Sequence, residues 1–182
     1  RVIVHVTNKL SSESSETSIH WHGLYQKDTP WMDGVGYISH CPIGPGQTFT
    51  YKFMARPTGS FIYHSHIGVQ RTMGLYGPLV VRKNLTKEPY EEFFAIVSDW
   101  NHEWDSSFSR FRFDSGLING KGRVLVDNLK GNGAPLEIFT VSRGNQYRFR
   151  WANAGNIYPF RVEIDQHNIT IVSSDGHDLT PV

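Results

Sequence analysis

Apolar residues along this chain recur with a period of two, and no stretch of ten or more residues carries a helical period. Val2, Val4 and Val6 alternate with Ile3 and His5, and Phe49, Tyr51 and Phe53 alternate with Thr48, Thr50 and Lys52. Further strand-like runs are Leu79–Val81, Phe93–Val97, Leu136–Val141, Tyr147–Trp151, Phe160–Ile164 and Ile169–Val172. Turn chemistry separates them: Pro45-Gly46, Pro57-Thr58-Gly59, Gly131-Asn132-Gly133, Arg143-Gly144-Asn145 and Asp175-Gly176. Many short strands joined by such turns predict an all-β chain built as a sandwich or Greek-key barrel. Charge and Pro89 interrupt the apolar runs near Lys83–Tyr90, which predicts two β domains, 1–86 and 87–182. The chain opens in mid-strand at Arg1–Val6 and closes just after a turn at Thr180-Pro181-Val182, so both domains are expected to be truncated. The Ser/Glu-rich stretch Ser11–Ser18 reads as a solvated hairpin loop.

Within this pattern stand two histidine pairs, His20-Trp21-His22 and His64-Ser65-His66. An extended strand puts both imidazoles of such a pair on one face. Each pair ends a strand-like run, Thr17-Ser18-Ile19 before the first and Phe61-Ile62-Tyr63 before the second. If the two strands lie side by side, four imidazoles converge. One such pair is weak evidence for a metal site, because strand histidines often have surface roles. Two pairs, each in a Gly- and aromatic-rich frame, are much stronger. Imidazole suits copper, zinc, iron and nickel, and zinc is the rival to copper on donor chemistry alone. His5, His40, His102, His167 and His177 lie outside the pairs and read as surface or loop residues. Trp100, His102 and Trp104 read as core or edge packing.

Composition excludes several classes. The 182 residues are 38% hydrophobic and 13% aromatic, enough for a sizeable core. A formal net charge of +1 gives no bulk field for nucleic acid or an acidic membrane. Tyr147, Phe149 and Trp151 form a sheet face with no basic stripe beside it, so they are not a stacking platform for bases. No apolar run reaches the length of a membrane span, and no signal peptide is visible. The lone Cys41 cannot form a disulfide within the chain, and in a secreted protein it points to an outside partner or a reactive thiol. Sequons at Asn84-Leu85-Thr86 and Asn168-Ile169-Thr170 favour a secretory route.

Taken in order, His20-Trp21-His22-Gly23-Leu24, Trp31-Met32-Asp33-Gly34-Val35, Cys41-Pro42-Ile43-Gly44-Pro45-Gly46, Tyr63-His64-Ser65-His66, Gln70-Arg71 and Gly74–Val81 form a specific set. The second half adds Arg150–Gly155, Ile164-Asp165 and Ser174–Leu179. The whole chain resembles the multicopper oxidases, and within them the three-domain laccases of the animal type. That resemblance implies stacked cupredoxin domains, each a Greek-key β-sandwich, with this chain spanning the first and most of the second. It implies a type 1 copper in a third domain and a three-copper cluster shared between the first and third. By motif, His20 corresponds to a type 2 copper ligand, and His22, His64 and His66 to type 3 ligands. Asp33 corresponds to an acidic residue that assists proton delivery to oxygen, although Asp-Gly is also a common turn dipeptide. Cys41 corresponds to a cysteine that is often disulfide-bonded to the third domain. It does not match the H-C-H motif of the type 1 site, so the chain on its own is expected to lack electron entry and activity.

The activity implied is a secreted laccase-like oxidase. Electrons come one at a time from phenols, aromatic amines, catechols or a reduced metal ion, and dioxygen is reduced to water. Two alternatives stand: a ferroxidase of the same family, and a non-catalytic copper-binding protein of the extracellular matrix on the same scaffold. Ile62 and Met73 depart from the family pattern, where an aromatic and an acidic residue are usual, and neither removes a ligand.

Overall fold

A computed structural model of the chain describes residues 1–11, 15–83, 90–102, 113–126 and 130–181. The sequon at Asn84, Trp104 and the domain boundary at 86/87 lie outside the described residues. Two compact units form, one from Arg1–Lys83 together with Ile171–Val182, the other from Asn84–Thr170. Each is β-structured, as the period of two predicts. Among the described residues the single helical element is a 3-10 turn at Pro30–Met32.

In the first unit, β1 (Val2–Thr7) pairs antiparallel with a strand at Thr48–Phe53, with Val2 opposite Phe53 and Val6 opposite Phe49. Counting along the chain, β2 is Ile19–His22, β3 is that Thr48–Phe53 strand, β4 is Gly59–Ser65 and β5 is Tyr76–Val81. β1 and β3 form one sheet, and β2, β4 and β5 form a second in the order β2-β4-β5, all antiparallel. The two sheets bury a common core of Ile19, Trp21, Leu24, Ile43, Tyr51, Phe53 and Phe61, lined by Val2, Val4 and Val6. Trp21 is its aromatic centre, with Tyr51 at 5.3 Å, Phe53 at 5.1 Å and Tyr63 at 6.2 Å between ring centroids. Such contacts add to the area term that dominates core stability. Because Ile19 and Trp21 face this core, the alternate residues His20 and His22 face away from it. A short hairpin of β11 (Ser173–Ser174) and β12 (His177–Asp178) belongs to the same unit.

The second unit centres on β6 (Glu91–Trp100), flanked by β7 (Ser115–Ile118) antiparallel and β10 (Tyr147–Asn153) parallel. Between them in sequence lie β8 (Leu125–Val126) and β9 (Lys130–Gly131). Asp99, buried at the end of β6, accepts the backbone N–H groups of Asn156, Ile157 and Tyr158 at 2.9–3.2 Å. Three donors satisfy the carboxylate, as burial of a charge requires.

The runs Leu136–Val141, Phe160–Ile164 and Ile169–Val172, read from sequence as strands, are not strands in the structure. Several of their apolar residues face solvent, Ile138 at 81% exposure, while Phe139 packs on Phe93 and Phe149 without joining a ladder. Alternation makes a segment ready to pair, and only a ladder partner makes it a strand.

Candidate metal centre

The register of β2 on β4 builds the site. His20 lies directly opposite His64, and Ile19 opposite Ser65. Directly opposed residues share a face, so His20, His22 and His64 share one, and His66 follows at the end of β4 with the same parity. The His20 ring stands 5.4 Å from His22, 5.3 Å from His64 and 5.5 Å from His66, centroid to centroid. His22 and His64 are 5.3 Å apart, and His64 and His66 6.0 Å. One ring nitrogen from each of His20, His22 and His64 falls within 4.8 Å of the others. His66 joins through its ring contacts and stands outside that closest group. His64 is buried, His20 partly so, and His22 and His66 are exposed at the mouth.

Two of the rings are oriented by backbone carbonyls. His20 Nδ1 donates to the Asp33 carbonyl oxygen at 2.7 Å, and His64 Nδ1 donates to that of Ser65 at 2.8 Å. A carbonyl only accepts, so both rings carry their proton on Nδ1 and turn the Nε2 lone pair into the cluster. His22 Nδ1 faces His64 Nε2 at 3.2 Å, a contact that a proton or a cation must bridge. The Asp33 carboxylate is 3.4 Å from His20 Nδ1 and partly exposed. The Asp33 loop closes against β2 at Gly34, where a side chain would overlap the Ile19 carbonyl.

Burial is the main reason that His64 protonates only with difficulty. Its pKa falls to about 4, with the charges of His20, Arg71 and His22 acting in the same direction and the Ser65 carbonyl opposing. His22 is lowered too: the residue as a whole is exposed, but partial desolvation of its ring among the other histidines acts first, and the charges of His20 and Arg71 add to it. Neutral imidazoles at neutral pH are what a metal needs, since each ligand must offer a free lone pair. The donor set therefore fits a cation of the copper or zinc kind: convergent and all-nitrogen, with His22 and His64 biased to the neutral form and His20 and His64 oriented by carbonyls.

The same shift has a consequence for the metal-free protein. The unfolded chain takes up a proton at His64 near pH 6.5 and the folded chain near pH 4, so protonation favours unfolding. Stability is expected to be full above pH 6.5 and to fall by up to about 3 kcal/mol between pH 6.5 and 4. Urea unfolding of metal-free protein and of His64→Gln across that range checks this. The variant should lose that part of the slope, and equal slopes would overturn the assignment.

The remaining histidines stand apart from this group. His5 bonds Thr50 Oγ1 at 2.8 Å, His102 pairs with Asp114 at 3.1 Å, and His167 donates to the Asp165 carbonyl at 2.8 Å. His177 lies in β12. His40, expected as a surface or loop residue, lies at the end of the turn before Cys41, where it stacks on Phe49 at 4.6 Å and bonds the buried Tyr51 hydroxyl at 3.0 Å. That hydroxyl in turn accepts the Ile19 N–H at 3.0 Å, pinning the residue before His20. Cys41 is exposed and free.

Two family models described as multicopper oxidase match residues 1–86 and 91–182. Laccase-1 of Fomitopsis schrenkii is 37% identical over 91% of this chain and 32% of its own length. The L-ascorbate oxidase of Cucumis sativus is 36% identical over 99% of this chain and 35% of its own length. The crystal structure of laccase from Botrytis aclada superposes with a TM-score of 0.70 at 35% identity, covering 84% of this chain and 30% of that one. The chain thus spans about a third of the length of the curated relatives it matches. The structural match bears out the all-β, cupredoxin-like architecture expected from the sequence.

Proposed function

The chain belongs to the multicopper oxidase family, and on that premise we propose that it carries half of a copper cluster that reduces dioxygen to water with electrons from phenolic or other aromatic donors, or from a reduced metal ion. The family implies copper, dioxygen and a reducing substrate. The observation that carries the proposal is the convergence of His20, His22, His64 and His66 from two paired strands. We assign His20 to a type 2 copper and His22, His64 and His66 to a type 3 pair. The other ligands and the type 1 copper are assigned to a third domain, to which Cys41 would be disulfide-linked. We assign the two domains to 1–86 and 87–182; the family matches at 1–86 and 91–182 support that division, whereas the compact units group Ile171–Val182 with the first.

Copper bound here would supply electrons singly to dioxygen. The chain's own residues hold the site ready for it. The Asp33 and Ser65 carbonyls fix two rings, burial keeps His64 neutral, and the Asp33 carboxylate stands at the rim where it can hold a proton on Oδ1. Extracellular placement is part of the proposal, supported by the exposed sequon at Asn168. Among the described residues no helix is long and apolar enough to cross a membrane.

Oxygen-uptake measurements on the full-length protein test this reading. Copper-loaded protein is expected to consume one dioxygen per four donor electrons with no peroxide released. Asp33→Ala should slow turnover roughly a hundredfold at unchanged copper content. Copper bound without oxygen uptake would replace the oxidase with a copper-holding scaffold, and absence of copper would overturn both.

A further inference from the structure

Behind the histidine face, one side chain bonds to the segments that lead into β2 and out of β4. Gln70 sits in the turn after β4, where its backbone N–H donates to the Ile67 carbonyl and its carbonyl accepts from Leu75. Its side chain makes three bonds. Oε1 accepts from Thr17 Oγ1 at 2.8 Å and from Ser65 Oγ at 2.6 Å, and Nε2 donates to the Glu16 carbonyl at 2.8 Å. Thr17 and Ser65 are both buried. Ser65 lies between the two histidines of the second pair, and Thr17 lies three residues before the first. Thr17 is held from its other side by paired backbone bonds to Ile43.

The position of these bonds matters because β2 is weakly specified by its own ladder. It has four residues, lies at the edge of the β2-β4-β5 order, and meets β4 over four residue pairs. A slip of one residue would turn a histidine pair into the core, and a slip of two would move His20 away from His64. Only one register gathers the rings. The amide of Gln70 joins one hydroxyl at the entry of β2 to one at the exit of β4, on the side away from the rings, so that register is held without occupying the metal face.

We propose that Gln70 is a positioning residue of the copper site: its amide locks the register of the two ligand strands and thereby the spacing between the histidine pairs. This rests on the reading that those histidines hold copper.

The test uses the full-length copper-loaded protein and the variants Gln70→Leu, Thr17→Val, Thr17→Ser and Gln70→Leu/Thr17→Val, with Leu79→Ala as a control for lost packing. Copper retention against a chelator and the electron paramagnetic resonance spectrum of the cluster copper are read beside the urea midpoint. Gln70→Leu is expected to weaken retention about tenfold and to shift the spectrum. Thr17→Val should act in the same direction, the double variant should be no worse than Gln70→Leu, and Thr17→Ser should behave as wild type. Leu79→Ala should lower the midpoint and leave the spectrum unchanged. Wild-type retention and spectrum in Gln70→Leu, or effects of the two single variants that simply add, would overturn the proposal. If Gln70→Leu fails to fold, Thr17→Val against Thr17→Ser decides. Wild-type protein without copper at this centre would instead overturn the function from which the proposal starts.

Discussion

If the proposed oxidase function holds, replacing His64 and His66 together by alanine is expected to abolish dioxygen reduction in the full-length protein while leaving the proposed blue type 1 copper in place. His64 is in β4 and His66 follows its last residue, so the variant leaves β2, the Asp33 loop and the His20 hydrogen bond untouched. What it removes is one side of the cluster. His64 is the buried ring, oriented by the Ser65 carbonyl, and it opposes His20 across the ladder. Loss of a partner that only orients a ligand costs roughly 10–100-fold in metal affinity or activity, and loss of two ligands costs more. Turnover should therefore fall by well over about a hundredfold. The blue absorption reports on a site to which neither residue is assigned, so it should persist and should still be bleached by the reducing substrate. Retained oxygen consumption would remove both histidines from the cluster, and loss of the blue band would show that they support more than the cluster.

The histidine face was legible because it depends on parity alone. In a strand, His-x-His puts both rings on one side whatever lies around it. What parity does not carry is direction. The acceptors of His20 and His64 are the carbonyls of Asp33 and Ser65, and a carbonyl's aim follows from the path of the whole loop. Asp33 was singled out for its carboxylate, whereas its nearer contact with the ring is through its backbone. Gln70 was part of a motif without a role, because its three partners come from 16, 17 and 65, segments that only the fold brings together. The same limit explains the second unit. The continuous apolar run Phe93–Val97 and the alternation at Tyr147–Trp151 marked both as strands but could not show that they pair in parallel. Nor could it separate them from Leu136–Val141, which alternates equally well and does not pair.

Gly34→Ala is expected to be the most damaging single substitution away from the histidines. The residue has a φ of +82°, and a Cβ there would overlap the Ile19 carbonyl oxygen and lie 2.9 Å from His20 Cα. The left-handed backbone alone costs an alanine about 1–2 kcal/mol. The overlap adds to this, because the obstructing atom is backbone rather than a flexible side-chain end. The Ile19 carbonyl belongs to the four-residue strand β2, whose position on β4 gathers the histidines of the proposed copper site. Either β2 shifts or the Asp33–Gly34 loop withdraws and takes with it the carbonyl that orients His20. A total above about 4 kcal/mol is expected, in the range reserved for disrupted packing or a broken network, with cluster copper lost at milder denaturant than the fold itself. Gly46→Ala supplies the comparison, since Gly46 has a similar φ of +75° and nothing within 4 Å of the added carbon. It should show the left-handed cost alone and keep its copper. Urea midpoints and copper content of the two variants measure the difference, and equal losses would show that the close approach of Gly34 to β2 does not hold the site together.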